Sequence, residues 1–148
     1  MAVVHADILA PPARVFDTLT DAWRFDEWVA GAKDVRDVDD EWPAVGAAFH
    51  HTVGVGPLSL DDHTAIRVLE PPRRLVLEAK ARPAGVVRVE FDLVARDGGT
   101  HLRMDERALA GPARWMVPKP VFDALVSVRN RETLRRLKRL VEREHSTA

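Results

Sequence analysis

The sequence predicts an α+β protein in which one curved antiparallel sheet of six to seven strands wraps around a long C-terminal helix. Three observations carry this prediction. Apolar and polar residues alternate with a period of two between about residues 34 and 109, which is typical of strands. Turn-forming residues interrupt that region repeatedly. After Gly111 and Pro112 the apolar residues return to steps of three and four, which indicates a helix.

The first thirty residues predict one strand followed by two short helices. Residues 3–9 are rich in β-forming types, and Pro12 suits the first turn of a helix, where its missing N–H costs nothing. Asp21 is placed to cap the second helix and Gly31 to end it. The apolar residues of the two helices are Val15, Phe16, Leu19, Trp23, Phe25 and Trp28.

The central region predicts five or six strands joined as hairpins, and the last part predicts one amphipathic helix. The five separators between strands are residues 41–43, 54–57, 70–73, 82–85 and 97–99, all rich in residues that tolerate turn geometry. The helix is expected over about residues 120–144. Its periodic residues are Phe122, Val126, Thr133, Leu137, Leu140 and Val141. No repeat or flexible linker divides the chain, so residues 1–148 are expected to form one domain.

The register of the last hairpin indicates which side of its strands faces the helix. Residues that oppose each other across a hairpin point to the same face of the sheet. If Gly98-Gly99 is a two-residue turn, Leu93 faces Met104 and Phe91 faces Glu106. An apolar face then collects a single carboxylate, and Glu106 is expected to point inward.

The hairpin around Gly56-Pro57 gives a second register. With this tip, His51 faces Asp62 and Phe49 faces Thr64, which places a histidine and an aspartate on the apolar side. The same register pairs Val55 with Leu58 and Val53 with Leu60. The opposite faces collect polar residues and are expected to be solvated, namely His50, Asp61, His63, Arg67, Arg88, Glu90, Asp92, His101, Arg103 and Asp105.

Composition excludes several classes of function. Lys and Arg number 22 and Asp and Glu number 23, so no overall positive field attracts a nucleic acid. The chain has no cysteine, which removes disulfides and thiolate chemistry. We find no leader-like N-terminus and no apolar run long enough to cross a bilayer, so we expect a cytoplasmic protein without stable membrane insertion.

Metal and nucleophile chemistry also lack sequence support. There is no His-Glu-x-x-His run, and adjacent His50 and His51 point to opposite sides of a strand. The serines lack a nucleophile-elbow context, and no glycine-rich loop joins a strand to a helix. We therefore expect no metal and no cofactor.

A sheet that curls around a single helix tends to leave a hollow, which makes the interior a candidate ligand site. The residues expected to line it are Phe49, His51, Leu60, Asp62, Thr64, Phe91, Met104, Glu106, Trp115, Phe122, Val126 and Asn130. Trp115 and Met116 form either a pocket mouth or simple core. The arginines of the helix, interleaved with glutamates, are typical of a solvated face.

Segments spread along nearly the whole chain resemble one superfamily. They are residues 8–16, 19–21 with Trp28, 68–77, 98–100 with Glu106, and 130–134. They are similar to the START-like (SRPBCC) superfamily, also called the polyketide cyclase/dehydrase and lipid transport group. The resemblance implies the helix-grip, Bet v 1-like fold with an internal cavity for hydrophobic molecules, in a group that includes both binding proteins and enzymes.

The polar candidates each keep two interpretations. His51 and Asp62 are either an acid/base pair, in which the carboxylate favours the protonated imidazole, or a structural cross-strand pair. Glu106 is either a base or ligand anchor, or the partner of a nearby arginine. Asn130 either binds a ligand or caps a strand carbonyl.

Two functional hypotheses follow. The first is a binding protein, monomer or homodimer, for a small hydrophobic molecule such as a lipid or polyketide. The alternative is a cofactor-independent polyketide cyclase or dehydratase with His51, Asp62 and Glu106 as catalytic candidates. A third hypothesis, held in reserve, is an interaction module that uses the basic face of the helix.

Overall fold

The computed structural model describes residues 2–55, 58–81, 85–111 and 118–147, except for the side chains of residues 53–55, 58–60, 81 and 110. In these residues an antiparallel sheet is combined with short helices and one long C-terminal helix. The strands are β1 (Ala2–Ile8), β2 (Ala32–Val38), β3 (Ala48–Val55), β4 (Leu58–Glu70), β5 (Arg74–Ala81), β6 (Gly85–Arg96) and β7 (Gly99–Ala110). The helices are α1 (Pro12–Leu19), a 3-10 turn (Ala22–Arg24), α2 (Phe25–Trp28) and α3 (Lys119–Thr147).

The strands form one sheet in the order β1-β7-β6-β5-β4-β3-β2. Strands β1 and β2 follow each other in sequence but occupy opposite edges, so the segment with α1 and α2 connects the two edges. Every neighbouring pair is antiparallel. The predicted fold class is confirmed.

The predicted register of the β3–β4 hairpin agrees with the structure at every pair. Phe49 opposes Thr64, and His51 opposes Asp62. The two further pairs, Val53 with Leu60 and Val55 with Leu58, are also present in the backbone register. This hairpin therefore brings a histidine, an aspartate and a threonine to the concave face.

The predicted register of the β6–β7 hairpin is wrong by two residues. Phe91 opposes Met104, and Glu106 opposes Val89. The turn is formed by Asp97 and Gly98, both with positive φ (50° and 78°), rather than by Gly98 and Gly99. Asp-Gly is a favoured pair for the tight hairpin turn that needs positive φ at both central residues. A slip of two keeps each residue on its face, so Glu106 still points inward.

The second helical segment differs in detail from the prediction. It starts as a 3-10 turn before α2, and the Asp21 side chain makes no capping hydrogen bond. Trp23 is 59% exposed, whereas Trp28 is buried. The apolar face of α1 is buried as predicted, through Val15 and Phe16 together with Leu19.

Helix α3 covers the concave face and runs three residues beyond the predicted C-terminal end. Its C-terminal half supplies Leu134 and Leu137 to the hydrophobic core, which also contains Phe91 and Met104. Polar contacts hold this half against the rest of the protein: Glu142 accepts a hydrogen bond of 2.8 Å from the backbone N–H of Leu9, and Lys138 donates to the Asp7 carbonyl.

The residues predicted for the solvated convex face are exposed or partly exposed, with one exception. Asp105 is only 1% exposed although it lies on that face. Arg103 and Arg107, two residues before and after it, approach its carboxylate at 3.6 and 3.5 Å. Long arginine side chains cover surface with their aliphatic stems, which explains the burial of a short acid between them.

Candidate functional site

The concave face is densely packed along only part of its length. Phe91, Met104 and Leu75 lie side by side on adjacent strands and are fully buried. Towards the N-terminal half of α3, Val89 and Val87 on β6 remain only partly buried. The neighbours of Val87 on the same face, Ala79 and Ala108, are partly buried as well. This less tightly covered region adjoins the polar side chains of the β3–β4 hairpin.

His51 lies on the concave face among aromatic rings. It is 2% exposed, and its Nε2 is 2.8 Å from the hydroxyl of Thr64. The rings of Phe25 and Phe49 each have their centroids 5.0 Å from the imidazole. Burial lowers the pKa of His51 to about 4, with smaller contributions from the positive charge of Arg36 and from the neighbouring histidines. The imidazole is therefore neutral at pH 7.

Asp62 faces His51 but does not form a close ion pair with it. Its Oδ2 is 3.8 Å from His51 Nε2, beyond hydrogen-bond range. Burial raises the pKa of Asp62 to about 7, and hydrogen bonds from the backbones of His63 and Lys80 only partly oppose this. The expectation that the carboxylate favours a protonated imidazole is wrong, because burial of both groups favours their uncharged forms.

Glu106 is buried and engaged by Arg129 from α3. The Nη2 atom of Arg129 donates to both carboxylate oxygens, at 2.5 and 2.6 Å. Of the two interpretations, the geometry matches the ion pair with an arginine. Arg129 was expected on the solvated face of the helix. Its side chain is 47% exposed and runs along the edge of the helix, so that its guanidinium reaches Glu106 on the concave side.

Asn130 is buried at the centre of α3, 1% exposed, and faces the sheet. Its Oδ1 accepts hydrogen bonds from Arg129 at 3.2 and 3.3 Å. It caps no strand carbonyl within the described residues. One helical turn further on, the Thr133 hydroxyl accepts a 3.0 Å hydrogen bond from the backbone N–H of Ala30, which ties α3 to the segment after α2.

Four polar atoms of the interior have no hydrogen-bond partner in the described part of the chain. They belong to α2, to the two strands of one hairpin and to α3. They are Trp28 Nε1, His51 Nδ1, Asp62 Oδ1 and Asn130 Nδ2. Buried polar groups are normally paired, and an unpaired one costs about 1–3 kcal/mol. Their presence on the elements that enclose one interior is typical of groups that meet a ligand or water.

The remaining predicted lining residues divide into four sets. Phe91 and Met104 belong to the packed core, and Phe49 and Val126 are buried beside the polar cluster. Phe122 is partly buried on α3. The side chain of Leu60 and the whole of Trp115 lie outside the described residues, and so does Met116.

Sequence reasoning missed three residues of this region. Phe25 and Trp28 were assigned only to a helix, yet Phe25 contacts the His51 ring and Trp28 contributes an unpaired N–H. Arg129 was predicted to lie on the solvated face of the helix. The only available signal was its place next to Asn130, at the border between the apolar and polar faces of α3.

A separate groove lies between α1 and the C-terminal end of α3. It is lined mainly by charged and polar side chains. Arg24 and Glu144 bridge it with hydrogen bonds of 2.5 and 3.0 Å. This composition does not suit an apolar ligand.

Among the described residues, no three His, Cys, Asp or Glu side chains are grouped to hold a metal ion. No helix in the same residues is long and apolar enough to cross a membrane.

The fold and the arrangement of the sheet around α3 define a START-like protein of the SRPBCC superfamily with the helix-grip fold, as the sequence resemblance indicated. Within that superfamily, residues 9–142 match the family described as "Activator of Hsp90 ATPase homolog 1-like protein". The chain belongs to this family. A comparison with curated protein sequences found no match.

Several solved structures share the fold at low sequence identity. Protein CV1439 from Chromobacterium violaceum is 19% identical, with a TM-score of 0.75 over 95% of this chain and 96% of that one. Ara h 8.0201 is 13% identical, with a TM-score of 0.73 over 94% and 95%. StfQ, a di-domain ARO/CYC protein from the steffimycin biosynthetic pathway, is 18% identical, with a TM-score of 0.72 over 99% of this chain and 46% of StfQ. These similarities establish the fold alone.

Proposed function

We propose that the chain binds a small hydrophobic molecule, such as a lipid or polyketide, between the concave face of the sheet and the N-terminal half of α3. The observation that carries this proposal is the group of unpaired buried polar atoms beside partly covered aliphatic side chains. The two other unpaired buried atoms in the described part of the chain, Arg88 Nε and Asp105 Oδ1, belong to residues of the convex face.

The energetics suit an apolar guest. Val87, Val89 and Phe122 offer partly covered apolar surface, and covering such surface contributes about 25 cal/mol per Å² before the costs of ordering the ligand. The proposal requires no cofactor, nucleic acid or membrane insertion, and it describes a cytoplasmic monomer or homodimer.

A fluorescence titration tests this site. N-phenyl-1-naphthylamine, an uncharged apolar fluorophore, is expected to bind saturably with enhanced emission. Val87→Trp adds bulk where the concave face is only partly buried, and it is expected to weaken binding at least about tenfold, since steric exclusion removes the buried contact area. Val94→Trp is the matched control on the same strand, because Val94 is exposed on the convex face. Non-saturable binding, or equal weakening by both variants, would contradict the proposal.

A second candidate function is that of a cyclase or dehydratase, with the region around His51 and Asp62 as its site. It is favoured by the neutral imidazole beside a carboxyl group whose raised pKa of about 7 lets it donate a proton near neutrality. In an enolisation step, Asp62 gives its proton to the carbonyl oxygen while His51 removes one from the adjacent carbon. Glu106 suits this role less well, because Arg129 already occupies both of its oxygens.

Incubation with a reactive poly-β-ketone analogue tests the enzymatic alternative. If the chain is an enzyme, cyclised or dehydrated product forms faster than in buffer, and His51→Ala and Asp62→Asn each reduce the rate at least about a hundredfold. Asp61→Asn, on the opposite face of the same strand, is the control. Product formation that is unchanged in both site variants removes the enzymatic alternative and leaves the binding function in place.

A further inference from the structure

The unpaired atoms of the interior differ in what they require from a ligand. The Oδ1 of Asn130 accepts from Arg129, and arginine is only a donor, so this contact fixes the orientation of the amide. The unpaired Nδ2 of Asn130 is therefore a donor. Trp28 Nε1 is also only a donor. Both atoms need an acceptor, and oxygen is the ordinary one.

Asp62 and His51 add two more unpaired atoms with a different capacity. His51 Nε2 is taken by the Thr64 hydroxyl, which leaves Nδ1 for a guest. The unpaired Oδ1 of Asp62 accepts a hydrogen bond, or donates one when the carboxyl carries its proton on that oxygen. These groups can bind a carbonyl or a hydroxyl group.

The charges of the same interior disfavour an anionic ligand. Its acidic groups are Asp62 and Glu106, both buried. The arginine that reaches the concave side, Arg129, is already neutralised by the two oxygens of Glu106. A carboxylate brought into this region would find no unpaired cation among the described side chains of the interior, and a buried charge without a partner is strongly unfavourable.

We infer that the ligand carries an uncharged carbonyl or hydroxyl oxygen, bound by Asn130 together with the His51–Asp62 pair, and that the site discriminates against both plain hydrocarbons and carboxylates. The inference rests on the proposed binding function and specifies its ligand class. A site built to hydrogen-bond an oxygen rejects the analogue that lacks it, because the polar groups of the site are then left unpaired.

A series of naphthalenes with nearly the same shape tests the head-group preference on the wild-type protein. The compounds are 2-acetylnaphthalene, 1-(2-naphthyl)ethanol, 2-ethylnaphthalene and 2-naphthoate, compared by displacement of N-phenyl-1-naphthylamine at pH 7. The ketone and the alcohol are expected to bind at least about tenfold more tightly than 2-ethylnaphthalene, and 2-naphthoate to bind most weakly.

The possible failures of the two proposals are distinguishable. If 2-ethylnaphthalene binds as tightly as the ketone and the alcohol, or if 2-naphthoate binds most tightly, the head-group inference is overturned while the apolar site stands. If neither the fluorophore nor any of the four compounds binds, the proposed binding function fails, and the inference fails with it.

A variant of α3 tests the role of Asn130 directly. Asn130→Leu removes the amide donor at nearly constant volume, so it is expected to lower the affinity for the ketone about tenfold while leaving that for 2-ethylnaphthalene unchanged or higher. Arg131→Leu changes an exposed neighbour and is the control. Equal loss of affinity for both compounds in Asn130→Leu would show a structural role only and would overturn the assignment of this residue.

Discussion

Gly99→Ala is expected to destabilise the protein by about 2–3 kcal/mol, because a methyl group at this position has no space. A Cβ on Gly99 would lie 2.4 Å from the carbonyl oxygen of Ile8 and 3.3 Å from its carbonyl carbon, both backbone atoms of β1. The edge strand would have to move. Ile8 is fully buried, and the Thr100 hydroxyl donates a 2.8 Å hydrogen bond to the Ala10 carbonyl just beyond β1, so this movement disturbs the core and the entry to α1.

Thermal unfolding measures the effect of Gly99→Ala, with an expected fall in Tm of about 6–9 °C for a chain of this length. Gly98→Ala is the matched control. Gly98 has a positive φ of 78° but open space around its Cβ position, so only the left-handed backbone is penalised, at about 1 kcal/mol. If Gly99→Ala proves no more destabilising than Gly98→Ala, then β1 does not approach β7 as closely as described.

The same two glycines show where prediction from sequence succeeds and where it stops. Alternation fixes which face of a strand is apolar, so the directions of Phe91 and Glu106 were predictable. The pairing register depends on which two residues adopt the positive φ of the turn. Both Asp97-Gly98 and Gly98-Gly99 match a turn pattern. The structure has Asp97 and Gly98 in the turn, both with positive φ, and in this register Gly99 lies against the backbone of Ile8 in β1, a contact about ninety residues apart in sequence that no local pattern reports.

The candidate site was likewise predictable only in part. The facing of His51 and Asp62 followed from one hairpin register, because a tight turn relates the two strands directly. Their charge states did not follow, since these depend on burial by Phe25 and by other segments distant in sequence. Arg129 could not be identified from the sequence as the partner of Glu106, because a long side chain at the border of a helix face can turn to either side.

The two halves of α3 make different contacts. Leucines and the contacts of Lys138 and Glu142 fix the C-terminal half to the sheet and to β1. The N-terminal half carries Val126 and Asn130, which are both buried. The C-terminal half is thus held by both apolar and polar contacts, whereas the N-terminal half contributes the buried amide of Asn130.

Asp62→Asn is expected to stabilise the protein at pH 8 by about 2–4 kcal/mol relative to the wild type, and to leave stability nearly unchanged at pH 4. Folding raises the pKa of Asp62 from 3.8 to about 7, so the folded state retains a proton that the unfolded chain releases. The wild-type free energy of unfolding therefore loses this contribution as the pH rises from about 4 to 7, at about 1.4 kcal/mol per unit at most. An amide does not titrate and avoids the loss.

The titration of His51 changes the free energy of unfolding with pH in the direction opposite to that of Asp62. The difference in stability between Asp62→Asn and the wild type is therefore the quantity to measure. Its pKa falls from 6.5 to about 4 on folding, so stability is lost as the pH falls through that window. In the wild type the two slopes largely cancel between pH 4 and 6.5, whereas Asp62→Asn exposes the slope of His51 alone. Urea unfolding at pH 4, 6 and 8 measures both curves.

Asp61→Asn is the control: its carboxylate is 78% exposed and 3.8 Å from Arg36, so its removal changes stability by less than about 1 kcal/mol at any of these pH values. A difference between Asp62→Asn and the wild type that does not grow with pH would mean that Asp62 is solvated, and the polar cluster proposed to bind the ligand would then lie open to water.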